Sequence, residues 1–491
     1  MNILLHNYLL RLEHSPEEPF LIHNRTTFTY SDFARLIACH LHHLQNNQIN
    51  VGEPVGLLLR NSPEFLISYY SLLFYGAVPV IFPLNLSTNR LTYLINKIKI
   101  NAVISQPEYQ KTIDEIEIRK GSSLQRLCCD LNWTMRDQSQ SLVAFLKEQL
   151  GYQQVNTLAE IVFSSGCSGY QKVICHSFDS LINNCEAMQH LLTWRRPNRV
   201  LIALPLPYFG AHAFVPHAVT RAGATIILPE RLSPEEIAIQ LVNGQIDTVI
   251  GTPAYYEKLL SPKEQNPPTT SKLFIVVGSQ LSEAVYFELR KQFAATIYHL
   301  YGSAETQIVA LNRHEFDDRI NSLGRLLPGW EMRLADQIPK STSPTSGMLY
   351  VRGKSLMTGY FDEWQKVPLS PNKWFNTGDW CHLEEDFLYF ECQNHERIKR
   401  FGYAINPDEI EKVLREHPSI QNVIAVPIRQ MESDDQIKLY IQASGEIDEN
   451  QVREYCLEHL PPYLQPEVIE FVQYFERDLT GKILRNIVNK T

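Results

Sequence analysis

VGLLLRNSPEFLISYYSLLFYGAVPVIF, residues 55–82, decides the fold. An apolar run gives way to a helix capped at Asn-Ser-Pro-Glu, and a second apolar run follows. Strand, helix and strand make a βαβ unit, and such units build parallel sheets. The most apolar part, LLFYGAVPVIFPL at 72–84, is too short to span a bilayer and holds Gly76, Pro79 and Pro83. It is expected to be a buried strand.

The pattern continues on both sides. Upstream, RTTFTYSDFARLIACHLHHLQ (25–45) shows a short alternating run, then Ser31 or Asp32 as the expected helix cap, then helical periodicity. His40 and His43 stand three apart there, as metal ligands on one helix face would. No acidic residue lies close to them or to His42 in sequence, so a solvated helix face is expected. Downstream, AEIVFSS (159–165), RVLIALPLP (199–207), ATIILP (224–229), DTVIGTP (247–253) and KLFIVVG (272–278) read as strands, with helical stretches between most of them. A large α/β region therefore covers roughly the first 390 residues. GMLYVRG (347–353), WFNTGDW (374–380) and FLYFECQ (387–393) form a small β-rich part. INPDEIEKVLREHPSIQNVIAVPI (405–428) then opens a smaller α+β module over about 395–491, with an acid-rich helix start at 406–409.

Bulk properties exclude several classes. A chain of 491 residues with 44% hydrophobic and 20% charged residues is globular, and it is too long for one core. A net charge of −9 without a long basic run argues against nucleic acid as a partner. The start, MNILLHNYLLRLEHSPEEPF, lacks the pattern of a signal peptide. Nine Cys at irregular spacing are then expected to be reduced thiols, and a cytoplasmic location follows, with no membrane span.

Five segments carry chemistry. SSGCSGYQK (164–172) follows an apolar strand. Its small residues let backbone N–H groups curl around phosphate oxygens, its hydroxyls add donors and Lys172 adds charge. The spacing is not that of a Walker loop, and a polar strand-to-helix turn is the bland alternative. In HLYGSAET (299–306), Tyr301 beside a glycine at a strand end can lie flat against a purine, and Glu305 can hold Mg²⁺ bound to phosphate. In WFNTGDW, Asp379 in a tight Thr-Gly turn suits two ribose hydroxyls. RIKRFGYAINPDEIE (397–411) comes next, and DLTGKILR (478–485) sets Lys482 on a Gly turn.

In this order and spacing the segments resemble the adenylate-forming superfamily of acyl- and aryl-CoA synthetases, firefly-type luciferases and nonribosomal adenylation domains, over nearly the whole chain. The resemblance implies an AMP-forming acid–thiol ligase. Such an enzyme activates a carboxylic acid with ATP, releases pyrophosphate and passes the acyl group to CoA. It implies a large part, 1–394, for ATP and acid, and a mobile lid, 395–491, turning about His395. It implies that Ser164, Ser165, Gly166, Cys167, Ser168, Gly169 and Lys172 form the phosphate loop. Tyr301, with His299 and Gly302, would meet adenine, Glu305 would bind Mg²⁺, and Asp379 would hold the ribose, with Gln393 at a nucleotide-contacting position. Lys482 would reach the acid and the α-phosphate, while Gly402 and Lys399 would enter the site for acyl transfer.

The chain departs from the superfamily pattern at Cys167 (Ser or Thr), Gln171 (Pro), Val173 (Gly), Ala304 (a hydroxyl), Met348 (Glu), Gln393 (Arg) and His395 (Asp or Lys). Ala304 and Gln393 each remove a nucleotide or phosphate contact, so a nucleotide-binding homologue without catalysis is one alternative. The retained Lys172, Glu305, Asp379 and Lys482 argue for catalysis.

The acid pocket is expected from Tyr208, Phe209, His212, Gly278, Ser279, Ser303 and Ile308. No acidic residue lies between 205 and 217 to pair with an ammonium, and an isolated ammonium is costly to desolvate. An aryl or fatty acid fits better than an α-amino acid. Free CoA is the simplest acceptor. The phosphopantetheine of a separate acyl carrier protein, or an amine, is the alternative.

Overall fold

The computed structural model describes residues 3–132, 141–150, 158–164, 172–191, 198–208, 211–212, 214–230, 233–260, 271–313, 319–340, 343–364, 373–393, 396–400, 403–429, 435–477, 483 and 485. The βαβ unit is present. Strands Pro54–Leu58 and Val78–Ile81 pair in parallel, and helix Pro63–Tyr75 lies between them. Ser62 caps that helix through the N–H of Phe65, Pro63 takes the first turn, and Gly76 ends it at φ 82°. Gly76 also corrects one expectation. Residues 72–75 are the last helical turn, and only Val78–Ile81 is strand.

Two more corrections fall upstream. The cap of helix Tyr30–Asn46 is Thr29, whose side chain accepts from Asp32 N–H while Asp32 reaches back to Thr29 N–H. His40 is buried in the core rather than solvated, whereas His42 is exposed and His43 half-buried.

Two sheets form the large part. In the seven-stranded sheet, Gln125–Leu127, Ala102–Ser105, Pro54–Leu58, Val78–Ile81 and Leu158–Phe163 run parallel, and Val173–Ser177 and Gly359–Tyr360 close it antiparallel. The nine-stranded sheet has a parallel centre of Pro19–His23, Thr225–Ile227, Arg199–Ile202, Thr248–Gly251, Leu273–Val276 and Thr296–Ser303. Gln307–Asn312 and Arg325–Leu326 extend it antiparallel on one side and Thr26–Thr29 on the other. One hydrophobic cluster draws on both sheets, with Leu21, Ile202 and Ile275 from one and Val55, Ile104 and Val162 from the other. A four-stranded antiparallel sheet, Trp330–Lys340, Ser343–Gly353, Phe375–Glu384 and Phe387–Gln393, is the β-rich part.

Beyond it, strands Ile420–Ile428, Gln436–Ala443 and Val468–Phe471 pack with helices Pro407–Arg415 and Glu449–His459 around a separate core that includes Ile410, Leu414, Leu439 and Val452. Arg397 links this module to the four-stranded sheet. Its guanidinium lies 3.9 Å from the centre of the Trp380 ring and 3.5 Å from Glu391. The expected boundary at 394–395 lies outside the described residues. Among the described residues no helix is long and apolar enough to cross a membrane.

Candidate active site

Each large sheet turns from parallel to antiparallel at a hairpin, and the two hairpins meet. The first is the Ser- and Gly-rich loop. Lys172 N–H donates to Ser164 Oγ at 3.0 Å, and Ser164 N–H donates to the Lys172 carbonyl at 3.1 Å. The loop therefore leads into the strand Val173–Ser177, not into a helix. The second hairpin joins Thr296–Ser303 to Gln307–Asn312. Ser303 and Thr306 close its turn by reciprocal hydrogen bonds, and Gln307 adopts φ 59°. A Cβ at Gly302 would fall 1.8 Å from the Gln307 carbonyl oxygen, so only glycine fits.

Three contacts staple the hairpins together. Met357 N–H donates to the Glu305 carbonyl and Thr358 N–H to the Cys175 carbonyl, both at 2.8 Å. His176 Nε2 donates to the Ala304 carbonyl at 2.8 Å. The carbonyl fixes the proton on Nε2, so Nδ1 accepts from Gln307 Nε2 at 3.3 Å. Burial pushes the His176 pKa down, which suits this neutral tautomer.

The charged groups line up across the staple. Lys172 Nζ donates to the Tyr360 hydroxyl at 3.2 Å, and that hydroxyl donates to Glu305 Oε1 at 3.2 Å. At the other end of the hairpin, the Tyr301 hydroxyl donates to Asp379 Oδ2. Burial and the Asp379 charge raise the Tyr301 pKa well above its ordinary value, so the hydroxyl stays a neutral donor. Asp379 follows a turn built by its neighbours. Asn376 Oδ1 accepts from Gly378 N–H, Gly378 adopts φ 81°, and Thr377 Oγ1 accepts from Asp379 N–H. Gln393 is the direct cross-strand partner of Asp379.

Several other expected residues are held around this centre. His299 is buried, and its ring bonds the backbone of Ser279. Burial pushes its pKa down to about 4. It therefore meets the site through the turn that bears Gly278, which adopts φ 90° and is exposed. Tyr208 is half-buried and Ser303 exposed, while Ile308 is buried with its carbonyl bonded by Asn184. His212 is fully buried against Glu160 and the Leu206 carbonyl. Lys399 is a backbone member of the strand Ile398–Arg400. Ser165, Gly166, Cys167, Ser168, Gly169, Phe209, His395, Gly402 and Lys482 lie outside the described residues. Three residues past Lys482, Arg485 forms a bidentate pair with Glu411 at 2.6 and 2.9 Å.

Sequence reasoning missed Tyr360, His176 and Glu160. Tyr360 carried a weak signal, a Gly-Tyr pair closing the segment that follows the 347–353 strand. His176 and Glu160 carried none, since each looks like an ordinary strand residue until its partners are known.

A family model described as AMP-binding enzyme matches residues 10–361. The 2-succinylbenzoate–CoA ligase of Bacillus pumilus (strain SAFR-032) is 23% identical over 485 residues, which covers 98% of this chain and 96% of that protein. The crotonobetaine/carnitine–CoA ligase of Proteus mirabilis (strain HI4320) is 25% identical, over 93% of this chain and 92% of that protein. Among solved structures, the O-succinylbenzoate coenzyme A synthetase of Bacillus subtilis in complex with ATP and magnesium superposes with a TM-score of 0.83. It is 20% identical and is matched over 98% of each chain.

Proposed function

The chain belongs to the AMP-binding enzyme family, and on that premise we propose that it joins a carboxylic acid to coenzyme A in two steps, first making an acyl-adenylate from ATP with release of pyrophosphate. The observation that carries this reading is that one hairpin, 296–312, bears both Glu305, in line with Tyr360 and Lys172, and Tyr301, bonded to Asp379. The hairpin thus brings together residues from both large sheets and the β-rich part. Two relatives that span nearly the whole chain are CoA ligases.

In this reading Lys172 and the loop 164–171 hold the phosphates. Tyr301 lies against adenine and Asp379 accepts from the ribose hydroxyls. Glu305 is the carboxylate offered to Mg²⁺. Its Oε1 is already positioned by Tyr360, and an all-oxygen donor suits a hard cation. When bound, Mg²⁺ neutralises phosphate charge. Attack of a carboxylate on the α-phosphorus brings two anions together, and Lys482 offsets that repulsion. The acid carboxylate displaces pyrophosphate, and the CoA thiol then displaces AMP from the acyl carbon. For the second step the module 395–491 turns as a lid and brings Lys399 and Gly402 to the site. Tyr208, Phe209, Gly278, Ser279, Ser303 and Ile308 line an acid pocket suited to an aryl or fatty acid, with His212 behind it. All eight cysteines with described surroundings are free, which fits a reducing, cytoplasmic setting.

The test is pyrophosphate release over a panel of aryl and fatty acids, with and without CoA, and product identification by mass. Acyl-CoA formation from at least one acid is expected. Pyrophosphate release without thioester, until a carrier protein or an amine is added, would move the acceptor assignment. No pyrophosphate from any acid would overturn catalysis.

A further inference from the structure

Behind the expected acid pocket lies a buried ion pair. Glu160 sits on the strand Leu158–Phe163, four residues before Ser164, and is fully buried. Tyr69, on helix Pro63–Tyr75, donates its hydroxyl to Glu160 Oε2 at 2.8 Å. The same oxygen lies 3.4 Å from Nε2 of His212, which is also fully buried. At that length the contact is a charge pair rather than a tight hydrogen bond, and Oε1 finds no partner among the described residues.

The protonation state follows from the contacts. His212 Nδ1 is 2.8 Å from the Leu206 carbonyl, which can only accept, so Nδ1 carries a proton. A neutral ring would then turn its Nε2 lone pair onto a carboxylate in a dry interior. A proton held between Nε2 and Oε2 removes that repulsion. Burial alone would raise the Glu160 pKa, yet the contacts with His212 and the Tyr69 hydroxyl outweigh burial and lower it. His176 faces Glu160 from the neighbouring strand, and the rings of Phe65 and Tyr69 flank His212.

A buried ion pair seldom stabilises a fold more than well-packed apolar residues would. What this one does is geometric. The segment 204–206 is pinned on one side by Asn61, which donates to the Leu204 carbonyl at 2.7 Å and accepts from Leu206 N–H at 2.6 Å. His212 pins it on the other and is itself held by the strand that enters the phosphate loop. We propose that the Glu160–His212 pair, oriented by Tyr69, is a positioning element that fixes residues 204–208, Tyr208 among them, against the strand leading to the phosphate loop. The inference deepens the ligase reading and rests on it for its effect on the acid.

The experiment compares Glu160→Ala, Glu160→Gln and the apolar double variant Glu160→Leu/His212→Leu, which keeps the core filled. Glu160→Ala and the double variant should raise KM for the acid about tenfold and leave KM for ATP within about twofold. Glu160→Gln should recover most of that loss, since an amide can accept from Tyr69 and donate to a neutral His212. Hydrogen exchange at the amides of Leu206, Tyr208 and Ala211 should quicken in Glu160→Ala and return towards the parent rate in Glu160→Gln. Equal rises in both KM values, a Gln variant as impaired as Ala, or unchanged exchange would each overturn the proposal. If the parent releases no pyrophosphate from any acid, the ligase reading fails, while the exchange rates still decide whether the pair positions the segment.

Discussion

Tyr301 gives its hydroxyl proton to Oδ2 of Asp379 at 2.5 Å, across 78 positions of sequence. The two side chains expected to hold opposite ends of adenosine are thus already joined. A ribose must compete with the phenol for the carboxylate. Tyr301→Phe keeps the ring and removes the competitor, so KM for ATP should stay level or fall, while stability drops by about 1–2 kcal/mol. Asp379→Asn loses a charge-assisted acceptor and should raise KM for ATP about tenfold. Pyrophosphate release against ATP concentration reads both. A rise in KM as large for Tyr301→Phe as for Asp379→Asn would mean that the hydroxyl, not the ring, binds nucleotide.

Tyr360 relays between a cation and an anion. It accepts from Lys172 and donates to Glu305, so the carboxylate is oriented before any metal arrives. Tyr360→Phe should raise the Mg²⁺ concentration needed for half-maximal activity by about three- to tenfold and leave KM for the acid unchanged. A chelator should abolish turnover in both proteins. An unchanged Mg²⁺ titration in the variant would remove Tyr360 from the metal-binding arrangement.

What was legible in the sequence was local. The βαβ unit at 55–82 showed because its cap and apolar runs are contiguous. Its helix end did not, because nearly every residue of Pro63–Tyr75 is buried and the run has no polar face to give it a period. The same limit governs the site. Motif residues such as Glu305 and Asp379 carry their context beside them. Tyr360 and His176 acquire theirs only from partners 55 and 128 residues away. The lack of an acidic residue between 205 and 217 holds in sequence, but in space Glu160 stands against His212. That carboxylate is already matched by imidazole and phenol, so it does not reopen the case for an α-amino acid substrate.

Acid should unfold the protein through histidines that the fold keeps neutral. Burial takes the His40 pKa from 6.5 to about 3, and it takes His299 from the same value to about 4. An unfolded chain binds these protons near pH 6.5, and the native state refuses them until far lower. Stability from this source is therefore complete above about pH 6.5 and is lost as the pH falls towards the folded values. At pH 5 the two groups together cost about 4 kcal/mol relative to pH 8. Denaturant melts at pH 8, 7, 6 and 5 measure the slope, and His40→Leu should flatten it by about one proton. An unchanged slope in that variant would show that His40 already titrates normally in the native state.

Arg485 supplies the last prediction, because it is anchored close in sequence to Lys482. Its two terminal nitrogens clasp Glu411, which is almost fully buried and also takes Arg415 at 2.6 Å and the N–H of Ala425 at 3.0 Å. The carboxylate is thus built into the C-terminal module, and Arg485, three residues on from Lys482, ties the last motif to it. Lys482→Ala should lower the adenylation rate about a hundredfold, with ATP binding largely intact. Arg485→Met leaves the lysine in place but loosens its support, so it should cost about tenfold in kcat with KM for ATP within about twofold. The double variant separates support from a second, independent role. If Arg485 acts only by placing Lys482, removing both should be no worse than removing Lys482 alone. Multiplying losses in the double variant would show that Arg485 serves the reaction, or the fold, by another route.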